Sequence, residues 1–432
     1  MPARPMNGKS AAPTFREALP VWIKIGLLGF GGPAGQIALM HRELVERRGW
    51  LCERRFLHAL NYCMLLPGPE AQQLAIHTGW LLHGPRGGIV AGTLFVLPGA
   101  LLIWCMSCLY VYQGELRWVE WVFYGLKAAV MAIVVAAMLR IGKKVLHHPW
   151  LCGVAVAALL ALLVFKLPFP WVVTAALVVG LIFGKRLAAR EKPDWDDNDI
   201  CAGRVAAASW KRTLGQCALW LALWLAPLVA CLAVLGKSHT LTIGSAFFSK
   251  AALLTFGGAY AVLPYVAQQA VETHGWLTPG QMIDGLGLAE TTPGPLVLVL
   301  QFVGFLGAWN SPGTLSPLAA ASIGSFLTVW ATFVPGFLFI FAGGPWIERA
   351  LGNPRLAGAL AVVTAAVVGV IANLAVWFGW SVVVPEPGET DLLPLALAAV
   401  FWLLLRFGKC GVTAVVGLGA LAGLAAGWLG GG

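Results

Sequence analysis

Apolar positions in this chain do not alternate with polar ones; they run together. Unbroken apolar segments at Gly88–Tyr112, Trp118–Leu139, Leu214–Leu235, Ala357–Trp380 and Val412–Leu429 reach the roughly 20 residues that a helix needs to cross hydrocarbon. Membrane barrels are built from short alternating strands, so continuous runs predict helices as the spanning element. Two shorter segments, Trp150–Phe165 and Phe169–Gly184, also read as helical. Two more, Pro20–Met40 and Phe56–Leu82, are interrupted near their middles by glycine and proline.

Those interruptions recur. Phe30-Gly31-Gly32, Gly49-Trp50-Leu51 and Pro67-Gly68-Pro69 return 226 residues later, without a gap, as Phe256-Gly257-Gly258, Gly275-Trp276-Leu277 and Pro293-Gly294-Pro295. Between Lys24 and Pro69, 15 of 46 positions match their counterparts, including Lys24/Lys250 and Glu46/Glu272. Proline removes a backbone donor and glycine admits left-handed torsions, so each block ends one half-helix and starts another. A membrane chain that duplicates its helix breakers is expected to duplicate a site.

Composition places the 432 residues firmly in the membrane class: 59% are hydrophobic and only 11% charged, with a mean hydropathy of +0.79. The net charge of +10 sits in a few short loops, as the positive-inside rule requires, and not in a stripe, which excludes nucleic acid as a partner. The nine cysteines lie mostly within apolar runs and give no disulfide framework. Cys105 and Cys108 have the spacing of a redox pair but fall inside an expected span. Met1–Arg16 is polar and shows no cleavable signal peptide.

Charge also divides the chain. Residues 1–184 form an N-terminal repeat, 185–212 a cytoplasmic basic linker, and 213–432 a C-terminal repeat. Within Lys185–Arg212 are seven Lys/Arg, Pro193 and the cluster Asp194, Asp196, Asp197 and Asp199. With that linker inside, the loops at Arg140–His148, His83–Gly87 and Arg349–Arg355 fall inside, and the acidic loop Pro385–Asp391 falls outside. The first copy of the repeat then begins in the cytoplasm and the second outside, an inverted arrangement of the kind found in transporters. Each interrupted segment either crosses or re-enters. His41–Arg55 holds Arg42, Arg47, Arg48, Arg54 and Arg55 while Ala267–Gln281 holds no Lys or Arg, which favours re-entrant hairpins. The fold class expected is an all-α integral membrane protein of two homologous inverted-topology repeats with broken or re-entrant helices. That makes about nine full spans plus four hairpins, or about 13 spans if every broken segment crosses.

The candidate chemistry lies at the breaks. Each restarted half-helix presents free N–H groups and about half a positive charge at its N-terminus, after Gly32, Pro69, Gly258 and Pro295. Such ends suit a tetrahedral oxyanion. The candidate substrate-binding residues are Lys24, Gly31, Gly32, Pro33, Pro67, Gly68, Pro69, Glu70, Gln72 and Gln73 in the first copy. In the second they are Lys250, Gly257, Gly258, Glu290, Thr291, Thr292, Pro293, Gly294 and Pro295. The lysines add charge to the site or snorkel to the interface. Glu70 and Glu290 are intramembrane carboxylates suited to a proton relay but unmatched in position, and Gln72, Gln73, Thr291 and Thr292 offer side-chain donors. Glu46 and Glu272 serve as caps or loop ion pairs as readily as proton carriers. Arg42, Arg47 and Arg48 either orient the loop or form an electrostatic funnel for anions. No ATP-hydrolysing, haem, flavin, iron–sulfur or metal-ligand pattern is present, so no cofactor and no enzyme activity is expected.

The stretch from Phe30 to Leu51, with FGGP and ELVERRGWL, and LLPGPEAQQLAIHTGW from Leu65 to Trp80 resemble the chromate ion transporter family. Thr255–Pro264, Gly275–Leu277 and Thr291–Leu296 resemble its second domain. The likeness covers both halves and marks the long-chain, two-domain form. It implies a carrier of the bacterial inner membrane that exports chromate, an analogue of sulfate, and confers chromate resistance. Export would proceed by alternating access driven by the membrane potential. A sulfate uptake carrier on the same scaffold, with protons as the coupling ion, is the alternative it leaves open, as is a homodimer. Ala259 stands where FGGP has its proline, so the two half-sites are not expected to act equally.

Overall fold

The computed structural model describes residues 13–113, 116–187, 209–255, 259–346, 354–384, 390–408 and 410–430. Among them there are helices and connecting turns and no strand. Helix α1 (Phe15–Leu28) opens on a capping box, with the Thr14 N–H donating to the Glu17 carboxylate at 2.8 Å and the Glu17 N–H returning to Thr14 Oγ1. The chain then unwinds. Gly31 and Gly32 take φ of 87° and 67°, torsions that only glycine adopts readily, and α2 (Gly32–His41) restarts with Pro33 in its first turn.

A π-helical turn, Arg42–Glu46, and Gly49 at φ 60° lead into α3 (Glu53–Leu65). The Pro67-Gly68-Pro69 turn, with Gly68 at φ 114°, leads into α4 (Glu70–Gln113), which breaks at His83 and Gly84. Three helices complete this half: α5 (Arg117–Val145), α6 (Pro149–Leu163) and α7 (Phe169–Leu187). The basic linker expected over 185–212 is shorter on both sides. Helix α7 takes its first residues and α8 (Trp210–Leu235) its last. Its acidic cluster, like Arg349 and most of the loop Pro385–Asp391, lies outside the described residues.

After α8 the same order of elements returns: α9 (Thr240–Leu254), α10 (Ala259–Gln268), a π-helical turn at Gln269–Thr273, Gly275 at φ 59°, and α11 (Pro279–Thr291). Gly294, at φ 107°, then heads a 3-10 turn (Leu296–Leu298) that runs into α12 (Val299–Asn310). The remainder is α13 (Pro317–Gly343), α14 (Pro354–Val383), α15 (Leu393–Arg406) and α16 (Val412–Gly430). The duplication is therefore structural as well as sequential, down to the π-helical turns and the left-handed glycines. Among the described residues six helices are long and apolar enough to cross a membrane: α4, α5, α8, α13, α14 and α16. Only 6% of the apolar window of α8 is buried, so it lies on the outside of the described helices. The protein is a multi-pass membrane protein.

At the breaks the chain reverses. Lys24 on α1 pairs with Glu43, just beyond α2, at 3.0 Å, whereas a straight continuation would hold these residues roughly 28 Å apart at 1.5 Å per residue. In the second copy the Phe302 ring of α12 packs directly on Gly285 of α11, which likewise requires the chain to fold back at the proline turn.

The two halves interlock through exchanged partners. Helix α5 packs against α15 and α16, while α14, which holds the corresponding place in the second half, packs against α6 and α7. Small residues permit the approach: a Cβ on Gly125 would collide with Gly419 and Gly423, and one on Gly180 with Ala359. The centre is filled by α10, α11 and α12, whose Val262, Leu286, Phe302 and Phe305 are wholly buried. Among the described cysteines Cys52, at the N-cap of α3 rather than in an apolar run, is disulfide-bonded, and the others are free.

A valine at Gly423, where a side chain meets the Trp121 carbonyl and the Gly125 backbone, should cost about 1–3 kcal/mol by overpacking. Melting in detergent should show a lowered midpoint for Gly423→Val. No such fall is expected for Gly417→Val, whose site is open.

Candidate functional site

Two hydrogen bonds cross between the repeats at the breaks, and each is the other's image. The Gly68 N–H donates to the Thr255 carbonyl at 2.7 Å, and the Gly294 N–H donates to the Gly29 carbonyl at 3.0 Å. Gly29 and Thr255 are equivalent positions, and so are Gly68 and Gly294. The proline turn of each repeat thus closes on the end of the first helix of the other, a reciprocal contact. Gln36, fully buried, reinforces one of the two crossings: its Nε2 donates to Gly29 O at 3.0 Å and Gly294 O at 2.5 Å. Its counterpart is Val262, so the second crossing has no such brace.

Beside this crossing lies a cavity of about 900 Å³. Gly31 and Gly32 line it, at the unwound entry to α2, whose first N–H groups have no carbonyl partner within the helix. Opposite them stand Tyr260 on α10 and Glu290 on α11, with the Tyr260 hydroxyl donating to Glu290 Oε1 at 2.6 Å. The mouth is basic. Arg140, Lys143 and Lys144, in the last turns of α5, and Arg406, at the end of α15, all face the cavity. Among the described residues none of these four forms an ion pair. The charge of Arg140 acts on Glu290 and Tyr260, and that of Lys144 on Glu70. Four cations, one carboxylate and a helix start therefore converge on one space. Such a surface attracts a small anion, and its backbone donors fit tetrahedral oxygens.

The sequence-derived candidates divide clearly. Gly31, Gly32 and Glu290 line the cavity, with Pro33 next to them in the first turn of α2. Gly68 and Gly294 build the crossing between Pro67, Pro69, Pro293 and Pro295, and the donors of both glycines are consumed there. Gly257 and Gly258 lie outside the described residues.

Lys24 is turned away: with Arg47 (2.8 Å) and Arg48 it holds the buried carboxylate of Glu43. Burial raises the affinity of that carboxyl for a proton, but hydrogen bonds from Lys24 and Arg48, with their charges, outweigh it and hold Glu43 below the ordinary carboxylate value. Arg47 and Arg48 are thereby tied to a loop carboxylate. Lys250, where Gln269 replaces Glu43, is exposed. Glu46 takes His41 at 3.1 Å, and Glu272 is exposed.

Glu70 is half-buried at the start of α4. Gln72 and Gln73 donate to the Phe333 and Pro67 carbonyls, and Thr291 and Thr292 donate to Leu288 and Ala289 of their own helix. These four side chains spend their donors on backbone and do not line the cavity. The residues that sequence reasoning passed over are Tyr260, Gln36, Arg406 and the role of Arg140, Lys143 and Lys144, which were read only as topology signals. Their spacing at i, i+3 and i+4 places all three on one face of α5, the signal that was available.

A model of the family described as chromate transporter matches residues 17–181 and again residues 241–424. The chain belongs to the chromate transporter family. The double match makes it the two-domain form, and the family is one of membrane transporters. The chromate transport protein of Pseudomonas aeruginosa is 33% identical over 412 residues, covering 94% of this chain and 90% of that protein. That of Cupriavidus metallidurans is 31% identical over 422 residues, 96% and 94% of the two chains. A probable chromate transport protein of Synechococcus elongatus is 28% identical over 368 residues, 85% of each. No solved structure matches the transporter.

If the cavity cations hold the anion, Arg140→Gln should weaken oxyanion binding roughly tenfold, about 1.4 kcal/mol. Lys24→Gln, whose lysine serves Glu43, should leave binding within about twofold, well under 1 kcal/mol. Equilibrium binding of radiolabelled sulfate to the purified protein measures both.

Proposed function

We propose that the transporter exports chromate across the bacterial inner membrane, and so confers chromate resistance, by alternating access between two inverted repeats. The observation that carries this reading is the cavity at the crossing. Four cations that form no ion pair among the described residues line the cavity with the unwound Gly31–Gly32 segment, in a family whose relatives bear the name of chromate transport proteins. Chromate and sulfate are both tetrahedral dianions, and the site presents positive charge and backbone N–H groups to either.

Direction follows from charge. The last turns of α5 and the linker are the basic segments that the positive-inside rule keeps in the cytoplasm, so the mouth of the cavity opens inward. A dianion leaving a negative interior gains about 4.6 kcal/mol per 100 mV, twice the 2.3 kcal/mol of a single charge. Export therefore runs on the membrane potential alone, whereas import would need coupled cations. Both repeats contribute to the cavity, with Gly31 to Lys144 from the first half and Tyr260 to Val412 from the second, so one chain completes it. We read the protein as a carrier and not an enzyme.

Inverted vesicles carrying the protein should take up radiolabelled chromate faster when the lumen is made positive, and sulfate should compete. Release of sulfate preloaded into the lumen, driven by a proton gradient and indifferent to potential, would favour the uptake carrier. Movement of neither anion in either direction would refute both.

A further inference from the structure

Past Glu290 the cavity stops, and a second group of charges stands beyond its floor. Helix α11 runs toward the cavity and α5 runs alongside it in the same direction. Gly287 of α11 lies 3.6 Å, from its ideal Cβ, to Leu126 and Val130 of α5. About 9 Å farther back along α11 than Glu290, at 1.5 Å per residue, Asp284 is buried at 6% exposure. Lys127 of α5 reaches its Oδ1 at 3.5 Å, and the Tyr110 hydroxyl of α4 donates to its Oδ2 at 2.9 Å. The rings of Phe123 and Phe302 pack edge-on against Tyr110 at 5.2 Å each. Lys127 lies roughly 20 Å along α5 from Arg140, so this cluster sits at the end of the pathway away from the basic mouth.

An ion pair in this position is expensive in hydrocarbon and calls for a role. Its members come from both halves, Tyr110 and Lys127 from the first and Asp284 from the second. Lys127, Tyr110 and Asp284 are the charged and titratable groups that face one another here among the described residues.

We propose that Lys127, Asp284 and Tyr110 form the gate that shuts the far end of the transport pathway while the basic cavity is open. Separation of α11 from α5 opens it. The ion pair breaks, and the freed Lys127 ammonium faces the leaving oxyanion while Asp284 turns from its path. Lys127 and Asp284 are positioning residues for transport, and the gate rests on the carrier reading given above.

The test uses the full chain with its free cysteines replaced by alanine and Gly287→Cys as reporter, since that position lies between the gate and Glu290. A membrane-impermeant maleimide is applied from the face opposite the cavity, and chromate transport is followed in the same vesicles. With the pair intact the reporter should be protected. Asp284→Asn or Lys127→Gln should raise its labelling rate at least tenfold and lower the maximal transport rate at least fivefold, with KM on the cavity side unchanged. The exchanged pair, Lys127→Asp with Asp284→Lys, should restore protection. Labelling that neutralisation leaves unchanged, or that the exchanged pair fails to reverse, would overturn the gate. Vesicles of the parent protein that carry no oxyanion would refute the carrier reading instead, and the labelling would still decide whether the pair closes this end.

Discussion

At the depth of a bilayer no water is at hand to satisfy a broken helix, so every interruption must find its hydrogen bonds inside the protein. That constraint organises this molecule. Among the described residues the chain unwinds at Gly31–Gly32, Gly68 and Gly294, and two of the freed backbone groups are satisfied by exchange. Gly68 N–H goes to Thr255 O and Gly294 N–H to Gly29 O. Because each repeat answers the other's need, neither half-site is complete alone. The duplication seen in the chain is thus held together at its breaks, and the larger exchange of α5 and α14 between halves continues the same symmetry outward.

Symmetry at the crossing does not extend to the charges. The first repeat gathers Lys24, Arg47 and Arg48 around buried Glu43, while Gln269 and Thr273 occupy two of the corresponding places in the second. Gln36 braces one crossing and Val262 leaves the other without a brace. The cavity itself is mixed: backbone from the first repeat, Tyr260 and Glu290 from the second, cations from both halves. An anion held there would meet backbone dipoles and exposed cations together. That arrangement favours entry and release over tight capture, as a carrier requires.

Much of the fold was legible because apolar run length and helix breakers are local properties. The spans at α5, α8, α14 and α16 match the predicted runs to within a few residues, and the repeat survives as π-helical turns and left-handed glycines. Side-chain direction was not legible. Thr291 and Thr292 looked like donors to a ligand, but a hydroxyl in a helix readily bonds the carbonyl three or four residues back, and both do. Lys24 matched Lys250 and seemed part of the site until Glu43, twelve residues beyond the break, claimed it. Arg140, Lys143 and Lys144 carried a topology signal strong enough to hide that they line the cavity. Tyr260, whose counterpart is Ala34, left no trace in the repeat pattern at all.

The most direct test of an oxyanion site at the crossing is an experimental structure with chromate bound, in which the metal's own scattering fixes its position. Density between the Gly31–Gly32 segment and Arg140, within hydrogen-bond reach of the start of α2, is the predicted result. Chromate seated elsewhere, for example among the arginines of the His41–Arg55 loop, with the cavity empty at saturating concentration, would contradict it.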